Sequence, residues 1–575
     1  MRKKINSFAN HHTGMSTWSC FVARALCLCV LVLADCGQAR PFPVMVQADS
    51  TQKKKSKMQD FVPVPDRWRA IQPPPYALNK QGHLYDPYNQ NILKGDFPII
   101  GQNKFLILTA STDNFAQSFR VPTMTAISTN SPQNFQFFGN GNRFLLNERL
   151  RLSAEFYQGN TAFRPRDWEF KVTTVFDINY LAAREISDVN LDERQGTTRY
   201  DDHFAFQELF FEKHLFDLSA NYDFISFRGG LQKFNSDFRG FIFDDFNLGA
   251  RLLGNAGSNR FQYNLSYFYM LEKDTNSGLN TLFEDRDQQV LIANLYKQDF
   301  LALGYTTQLS LHYNHDKPSN YIDENGVPVR PAVIGASRPH DVKAFYLGWS
   351  GDGHFGRFNL SHAFYQVLGR DSFNSLAGRR ISLNAQMAAL ELSIDKDWMR
   401  FRLSGFFASG DQRPLDRFGT GFDTILDLPF FAGGPFSFWN SQQIRIFAVN
   451  LTSRQSLVPN LRSSKTEGQA NFVNPGLLLA NFGYDADLTP KLRLVLNANY
   501  LRFATTAPLT QFVNQTIRKD IGLDYGLGFL YRPFLNNNAI FQFGINALTP
   551  LNGFRDLFDS SKTQYAAFTA LQFTY

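Results

Sequence analysis

The sequence lacks most of what would make an ordinary soluble enzyme or a helical membrane protein. All four cysteines, Cys20, Cys27, Cys29 and Cys36, lie at its beginning, and none follows in the remaining chain. A chain without later cysteines needs no disulfides in an oxidising compartment. With its His scattered, it has no metal-ligand spacing, and neither metal nor cofactor is expected. No run of about 18 to 20 apolar residues follows the leader, which excludes an ordinary transmembrane helix but not a barrel, whose strands give a weaker signal. No repeat of fixed period is visible, against a propeller or solenoid. The basic excess is small. The formal charge is +7, and residues 1–39 hold four Lys or Arg and one Asp, so their removal takes it to +4. The one short basic cluster, KKKSK (53–57), sits in a linker-like stretch, so nucleic acid is not an expected partner.

What the sequence does have is aromatic. Phe and Tyr number 59 and 22, yet mean hydropathy is −0.28 and 19% of residues are charged. That combination fits short apolar strand faces alternating with hydrophilic ones. The start has the parts of a secretory signal: Arg24, the apolar run ALCLCVLVLA (25–34), and Gly37-Gln38-Ala39 as a small-x-small cleavage site leaving Arg40 first. LADC (33–36) invites a lipidated Cys36, but Asp35 suits that poorly. The long polar leader before Arg24 makes Met15 an alternative start. Residues 40–102, Pro-rich with PPP at 73–75 and then DPYNQNILKGDFPIIG (86–101), read as an irregular periplasmic extension or plug segment, and 103–575 as one barrel.

Within 103–575, nine to fifteen residues of two-residue alternation recur between turns or long polar links. DWEFKVTTVFDINY (167–180) puts Trp168, Phe170, Val172, Phe176, Ile178 and Tyr180 on one side, and Glu169, Lys171, Thr173, Asp177 and Asn179 on the other. RFQYNLSYFY (260–269) and DIGLDYGLGFLY (520–531) alternate similarly. RRISLNAQMA (379–388) separates Ile381, Leu383, Ala385 and Met387 from Arg380, Ser382, Asn384 and Gln386. Short links near 157–167, 214–222, 254–259, 297–300, 351–354, 395–397, 487–491 and 533–537 alternate with longer ones at 181–203, 272–287, 314–342, 367–379, 409–473, 504–518 and 548–562. The tight 234–240 link is the exception. Asp352-Gly353 is a hairpin signal. Outer-membrane barrels put short turns on the periplasmic side and long loops outside. The expected fold is therefore all-β: a single transmembrane antiparallel barrel of about 18 strands (16–18), both termini periplasmic. Its first strand is KFLILTAST (104–112) or the region of FQFFGN (135–140). Two soluble sandwiches explain neither the alternating links nor the repeated polar faces.

Polar strand faces would line a water-filled path. The inward candidates are Arg149, Arg151, Lys171, Arg251, Arg260, Arg380, Arg400, Arg402, Lys491 and Arg493, against Glu155, Glu169, Asp177, Asp245, Asp520 and Asp524. A positive excess would favour anions or acidic saccharides. The alternative is that these charges pair across strands and merely solvate the wall. The 409–473 link is the expected constriction or lid. Catalysis is not expected: Ser361 and His362 are strand neighbours facing opposite ways, and His312 and His315 diverge likewise. Asp411, Asp416, Asp423 and Asp427 could meet a calcium ion but read more simply as solvated loop acids. The GG at 433–434 follows no strand-to-helix pattern.

The last stretch, AAFTALQFTY (566–575), alternates to its final aromatic, with Leu571, Phe573 and Tyr575 on one face. In this the chain resembles Gram-negative outer-membrane porins, whose carboxy-terminal assembly signal ends in an aromatic residue. The resemblance implies outer-membrane lipid and the barrel-insertion machinery as partners, with Leu571, Phe573 and Tyr575 as the signal. A weaker similarity, to the alginate-export type of barrel, rests on RFRLSGFFASGDQRPLDRFGTGFDTI (400–425) and FRGGLQKFNSDFRGFIFDDFNLGARL (227–252), and implies an 18-stranded, Arg-rich conduit for an acidic polysaccharide. About 100 residues ahead of the barrel are too few for the usual plug of a TonB-dependent transporter. The function expected is an outer-membrane porin or export conduit for small solutes, with a closed structural or adhesive barrel as the alternative.

Overall fold

The computed structural model describes residues 92–575, apart from 126–127, 134–135, 160–163 and 222. The leader and the Pro-rich segment up to residue 91 lie outside the described residues. Eighteen strands make the wall: β1 Lys104–Arg120, β2 Asn142–Gln158, β3 Trp168–Ala182, β4 Thr198–Asp217, β5 Phe224–Asn235, β6 Asp244–Ala256, β7 Phe261–Lys273, β8 Asn280–Lys297, β9 Tyr305–Asp316, β10 Val342–Phe355, β11 Phe358–Asn374, β12 Arg379–Lys396, β13 Met399–Ala408, β14 Leu477–Thr489, β15 Leu492–Phe503, β16 Asp520–Tyr531, β17 Ala539–Pro550 and β18 Gln564–Thr574. Each pairs antiparallel with its neighbours in sequence, and β18 pairs back onto β1 from Ser111↔Thr574 to Arg120↔Tyr565. Tyr575 extends that seam, exchanging backbone hydrogen bonds with Ala110 at 2.8 and 3.1 Å. Closure removes both sheet edges, the one way a β-sheet can cross a bilayer.

Short links on one side alternate with links that are mostly, though not all, longer on the other. On one side they run from two residues, as at 397–398, to nine at 159–167; on the other they reach 68 residues at 409–476. KFLILTAST opens the first strand. The 234–240 link stays tight, at 236–243. Three expectations change. Asp352-Gly353 lies inside β10, because His354 and Phe355 still pair with Asn359 and Phe358; the turn is Gly356–Arg357, with Gly356 at φ 61°. The links expected at 272–287 and 367–379 shrink to 274–279 and 375–378. There the strands rise beyond the apolar belt, and polar residues on both faces hide the alternation.

Outward residues form that belt. Leu150, Phe176, Leu265, Leu295, Leu311, Trp349, Leu392, Phe482, Leu527 and Ile545 are all well exposed. Facing lipid, such side chains are at home; in water a patch this large would aggregate. Phe573 is 44% exposed, and Leu571 shares its outward parity.

One strand departs from expectation. On β12, Ile381, Leu383, Ala385 and Met387 are buried inside the barrel, and Arg380, Ser382 and Asn384 are exposed outside. The cause is the loop: the apolar stripe packs on residues 409–476, and the short strand Phe418–Gly419 pairs in parallel with Ser382 and Leu383.

Candidate functional site

The lumen is divided. One part is filled by two links that fold inward from the long-loop end. In the 236–243 link, Asp237 accepts the amides of Arg239 (2.9 Å) and Gly240 (2.6 Å) and the Tyr365 hydroxyl (3.0 Å), which ties the turn to β11. Arg239 continues across to Ser361 and Glu391, both at 3.0 Å. The 409–476 loop lies against it: Leu428 N donates to Gly240 O at 2.9 Å, and Phe243 bridges to Leu426. Phe422, Ile425, Phe438, Trp439 and Leu451 from the loop join Phe241, Phe268, Ile292, Tyr346 and Met387 in one buried apolar cluster. A fully buried ion pair, Arg462–Asp423 at 2.7 Å, pins the loop's two arms together.

The loop tip docks on β15–β17. Asp524 accepts from Phe438 N (2.8 Å), Ser437 Oγ (2.5 Å) and Asn499 Nδ2 (3.0 Å). Asn499 and Asn546 donate to the carbonyls of Ala432 and Pro435. Phe436 fills a socket that exists only because two inward wall residues have no side chain. A Cβ on Gly526 would lie 1.8 Å from Phe436 O, and one on Gly528 1.9 Å from the Phe436 ring.

The other part of the wall, β1–β6, is charged and partly exposed on its inward face. Arg149 meets Asp177 (2.5 Å) and donates to Ser277 O; Arg151 faces Asp113 at 3.9 Å; Lys171 meets Glu208 at 2.9 Å. Arg228 joins Glu212 at 2.5 Å, and Arg166 bridges Glu155 and Glu169. The Arg151 and Asp113 side chains keep 40% and 36% of their surface exposed while pointing into the barrel. Arg251 donates to Asn264 Oδ1 (2.8 Å) and lies over the Phe234 ring, with no carboxylate partner among the described residues. Arg454 of the loop faces this wall. It keeps exposed surface, yet crowding by protein and the nearby Arg149 charge pull its guanidinium down to about 10.

Not every sequence candidate lies on the lumen wall. Arg400, Arg402 and Arg493 point inward near the short-turn end, bound to Asp395 (2.5 Å), Asp485 (2.9 Å) and Asp487 (2.7 Å). Arg260 and Lys491 are exposed in the turns 257–260 and 490–491, outside the strands. Arg380 faces outward, because β12 has the reversed parity just described. Arg228, Arg166, Asp113, Arg239 and Arg454 escaped the sequence reading. Gly229-Gly230 interrupts the alternation around Arg228, and the loop residues have no periodicity to read.

The remaining chemistry is limited. Ser361 lies inside against Arg239, while the His362 ring packs at a tilt against the outward Trp349. His312 is buried inside, and His315 bonds Asp341 at 2.7 Å. Asp423 and Asp427 are engaged with Arg462 and with Thr424 and Ser456, so the four loop acids do not converge. Asp201, Asp274 and Glu324 do bring carboxylate oxygens within 4.8 Å of one another. Partial burial and the neighbouring Asp274 and Asp201 push the Glu324 carboxyl above the usual carboxylate range, as expected where three acids crowd together.

A closed 18-stranded sheet with an apolar exterior and a charged, partly exposed interior is a transmembrane β-barrel of the outer-membrane class. No protein-family model matches this chain, and no curated protein matches its sequence. Among solved structures it is similar to Pseudomonas aeruginosa OccK9 (OpdG), with 12% identity, 82% of this chain and 98% of that chain covered, and a TM-score of 0.46. It is similar also to Pseudomonas aeruginosa OccK7 (OpdD), at 11%, 82%, 99% and 0.45, and to Acinetobacter baumannii OccAB4, at 11%, 82%, 98% and 0.42.

Proposed function

We propose that this chain is a passive outer-membrane porin, in which small polar solutes move between the 409–476 loop and the charged wall of β1–β6. The observation that carries this reading is the exposure of Arg151 and Asp113 on the inward face. Charged side chains inside a barrel keep such surface only beside water. Since most inward cations are paired, the wall offers alternating charge, and any anion preference falls to cations with no carboxylate partner among the described residues, Arg251, Arg199 and Arg454 among them. Small anions or acidic saccharides are the solutes this favours. Residues 40–102 serve as a periplasmic extension on this reading, with Lys94 donating to Leu108 O (2.6 Å) at the short-turn end. Leu571, Phe573 and Tyr575 act as the signal for the insertion machinery.

Planar-bilayer conductance tests the proposal. Channels should appear across a range of salts, and Arg251→Ala should lower the anion preference. Arg400→Ala with Arg402→Ala should shift selectivity toward cations by uncovering Asp395 and Asp485. Complete absence of conductance would instead favour the closed structural barrel, for which the apolar packing of the 409–476 loop is the supporting observation.

A further inference from the structure

The reversed parity of β12 leaves a polar notch on the lipid-facing wall. Three rows cross β10, β11 and β12 in register on that outer face. Counting from the short turns toward the long loops they are Leu347, Gln366 and Gln386; then Phe345, Leu368 and Asn384; then Lys343, Arg370 and Ser382, with Arg380 one pleat higher. Leu347, Phe345 and Leu368 are 49%, 47% and 45% exposed, so the first two rows lie within the apolar belt. Amides there are costly unless they find partners. They partly satisfy one another: Gln366 Nε2 donates to Asn384 Oδ1 at 2.9 Å, and Gln386 Nε2 to Gln366 Oε1 at 3.0 Å and to Asn384 Oδ1 at 3.1 Å. Asn384 Oδ1 and Gln366 Oε1 are thereby used, while the Asn384 amide donors and Gln386 Oε1 have no partner among the described residues.

Directly above stand the cations. Lys343 meets Asp341 at 3.3 Å, a carboxylate it shares with His315. Arg370 and Arg380 are exposed and have no acidic partner among the described residues. Surplus positive charge therefore sits at the long-loop end of the belt, where the headgroups of the outer leaflet lie, with free amide donors one or two pleats deeper. We propose that this notch binds a phosphorylated glycolipid of the outer leaflet. Arg370, Arg380 and Lys343 would hold its phosphate, since guanidinium forks match phosphate oxygens. Gln366, Asn384 and Gln386 would meet its sugar hydroxyls or acyl carbonyls, and its chains would run down over Phe345, Leu368 and Phe364. Charge complementarity favours this occupant over a second copy of the chain, whose own notch would present the same positive charge.

Native mass spectrometry of the full, detergent-folded chain, titrated with bis-phosphorylated lipid A, tests the assignment. Lipid A should bind discretely, and Arg370→Ala with Arg380→Ala should weaken it at least tenfold. Gln366→Leu with Gln386→Leu should weaken it about threefold, and Lys343→Ala is a milder variant in case the others fold poorly. Dephosphorylated lipid A, phosphatidylglycerol and inorganic phosphate should all bind at least tenfold more weakly. Conductance should stay unchanged in every variant, because these residues lie outside the lumen. Unaltered lipid A binding in the arginine variant, equal binding of phosphatidylglycerol or phosphate, or a change confined to oligomer mass by light scattering would each overturn the proposal.

Discussion

Filling the Phe436 socket should release the constriction. In Gly528→Val the new Cβ would lie 1.9 Å from the Phe436 ring, and the strand carrying it is locked in the barrel, so the ring must leave. Phe436 is 5% exposed, and exposing such a side chain costs about 2–3 kcal/mol. Its departure also loosens the Asn499–Ala432 and Asn546–Pro435 hydrogen bonds, each contributing about 1 kcal/mol. The docked tip would lose about 4–5 kcal/mol, roughly a thousandfold in its docking equilibrium at about 1.4 kcal/mol per factor of ten. Single-channel conductance of the variant should rise, with larger open-state noise, while heat-modifiable gel migration confirms an intact barrel. Phe436→Ala is the control: in that background Gly528→Val should add little, because nothing remains to be displaced. Wild-type conductance from a folded Gly528→Val barrel, or additive effects in the double variant, would refute the socket.

Other outcomes follow from the same geometry. Arg462→Met should cost about 3–5 kcal/mol by leaving Asp423 buried and unpaired, read as a fall in Tm and faster proteolysis of the 409–476 loop. Leu347→Arg, in the apolar belt, should lower folding stability in vesicles by about 2–4 kcal/mol, whereas the same change at an exposed loop position should be nearly silent. Burial raises Glu467 to about 7 despite hydrogen bonds from Thr275 and Ser464. Its folded form holds the proton more tightly than the unfolded chain, so loop docking is firmest below about 4.5 and weakens as pH rises toward 7. Protease resistance of the loop should fall across that window, and Glu467→Gln should flatten the fall.

Barrel, strand number and the alternation of short and long links were legible in the sequence because lipid demands one strict period from every strand. Trp168, Phe170, Phe176 and Ile178 show it clearly. Legibility stopped where two apolar environments compete. Ile381, Leu383, Ala385 and Met387 have the same pattern whether they face lipid or a folded loop, and nothing local distinguishes the two. Charge pairing was equally hidden. Arg151 and Asp113, or Arg400 and Asp395, meet through strand register, which a one-residue slip would undo. The loop's own architecture, from Arg462–Asp423 to the Phe436 socket, depends on contacts between residues far apart in sequence and without any period.

The partition of the interior has a practical meaning. Residues that hold the loop lie mostly on β7–β17, and those that present charge mostly on β1–β6, although Phe119, Leu145 and Phe234 of β1, β2 and β5 join the apolar cluster. The charged wall can therefore be rewritten pair by pair, exchanging Lys171–Glu208 or Arg228–Glu212 for other polarities, without touching what keeps the passage narrow. Width and charge preference become separately adjustable, and selection on one need not disturb the other.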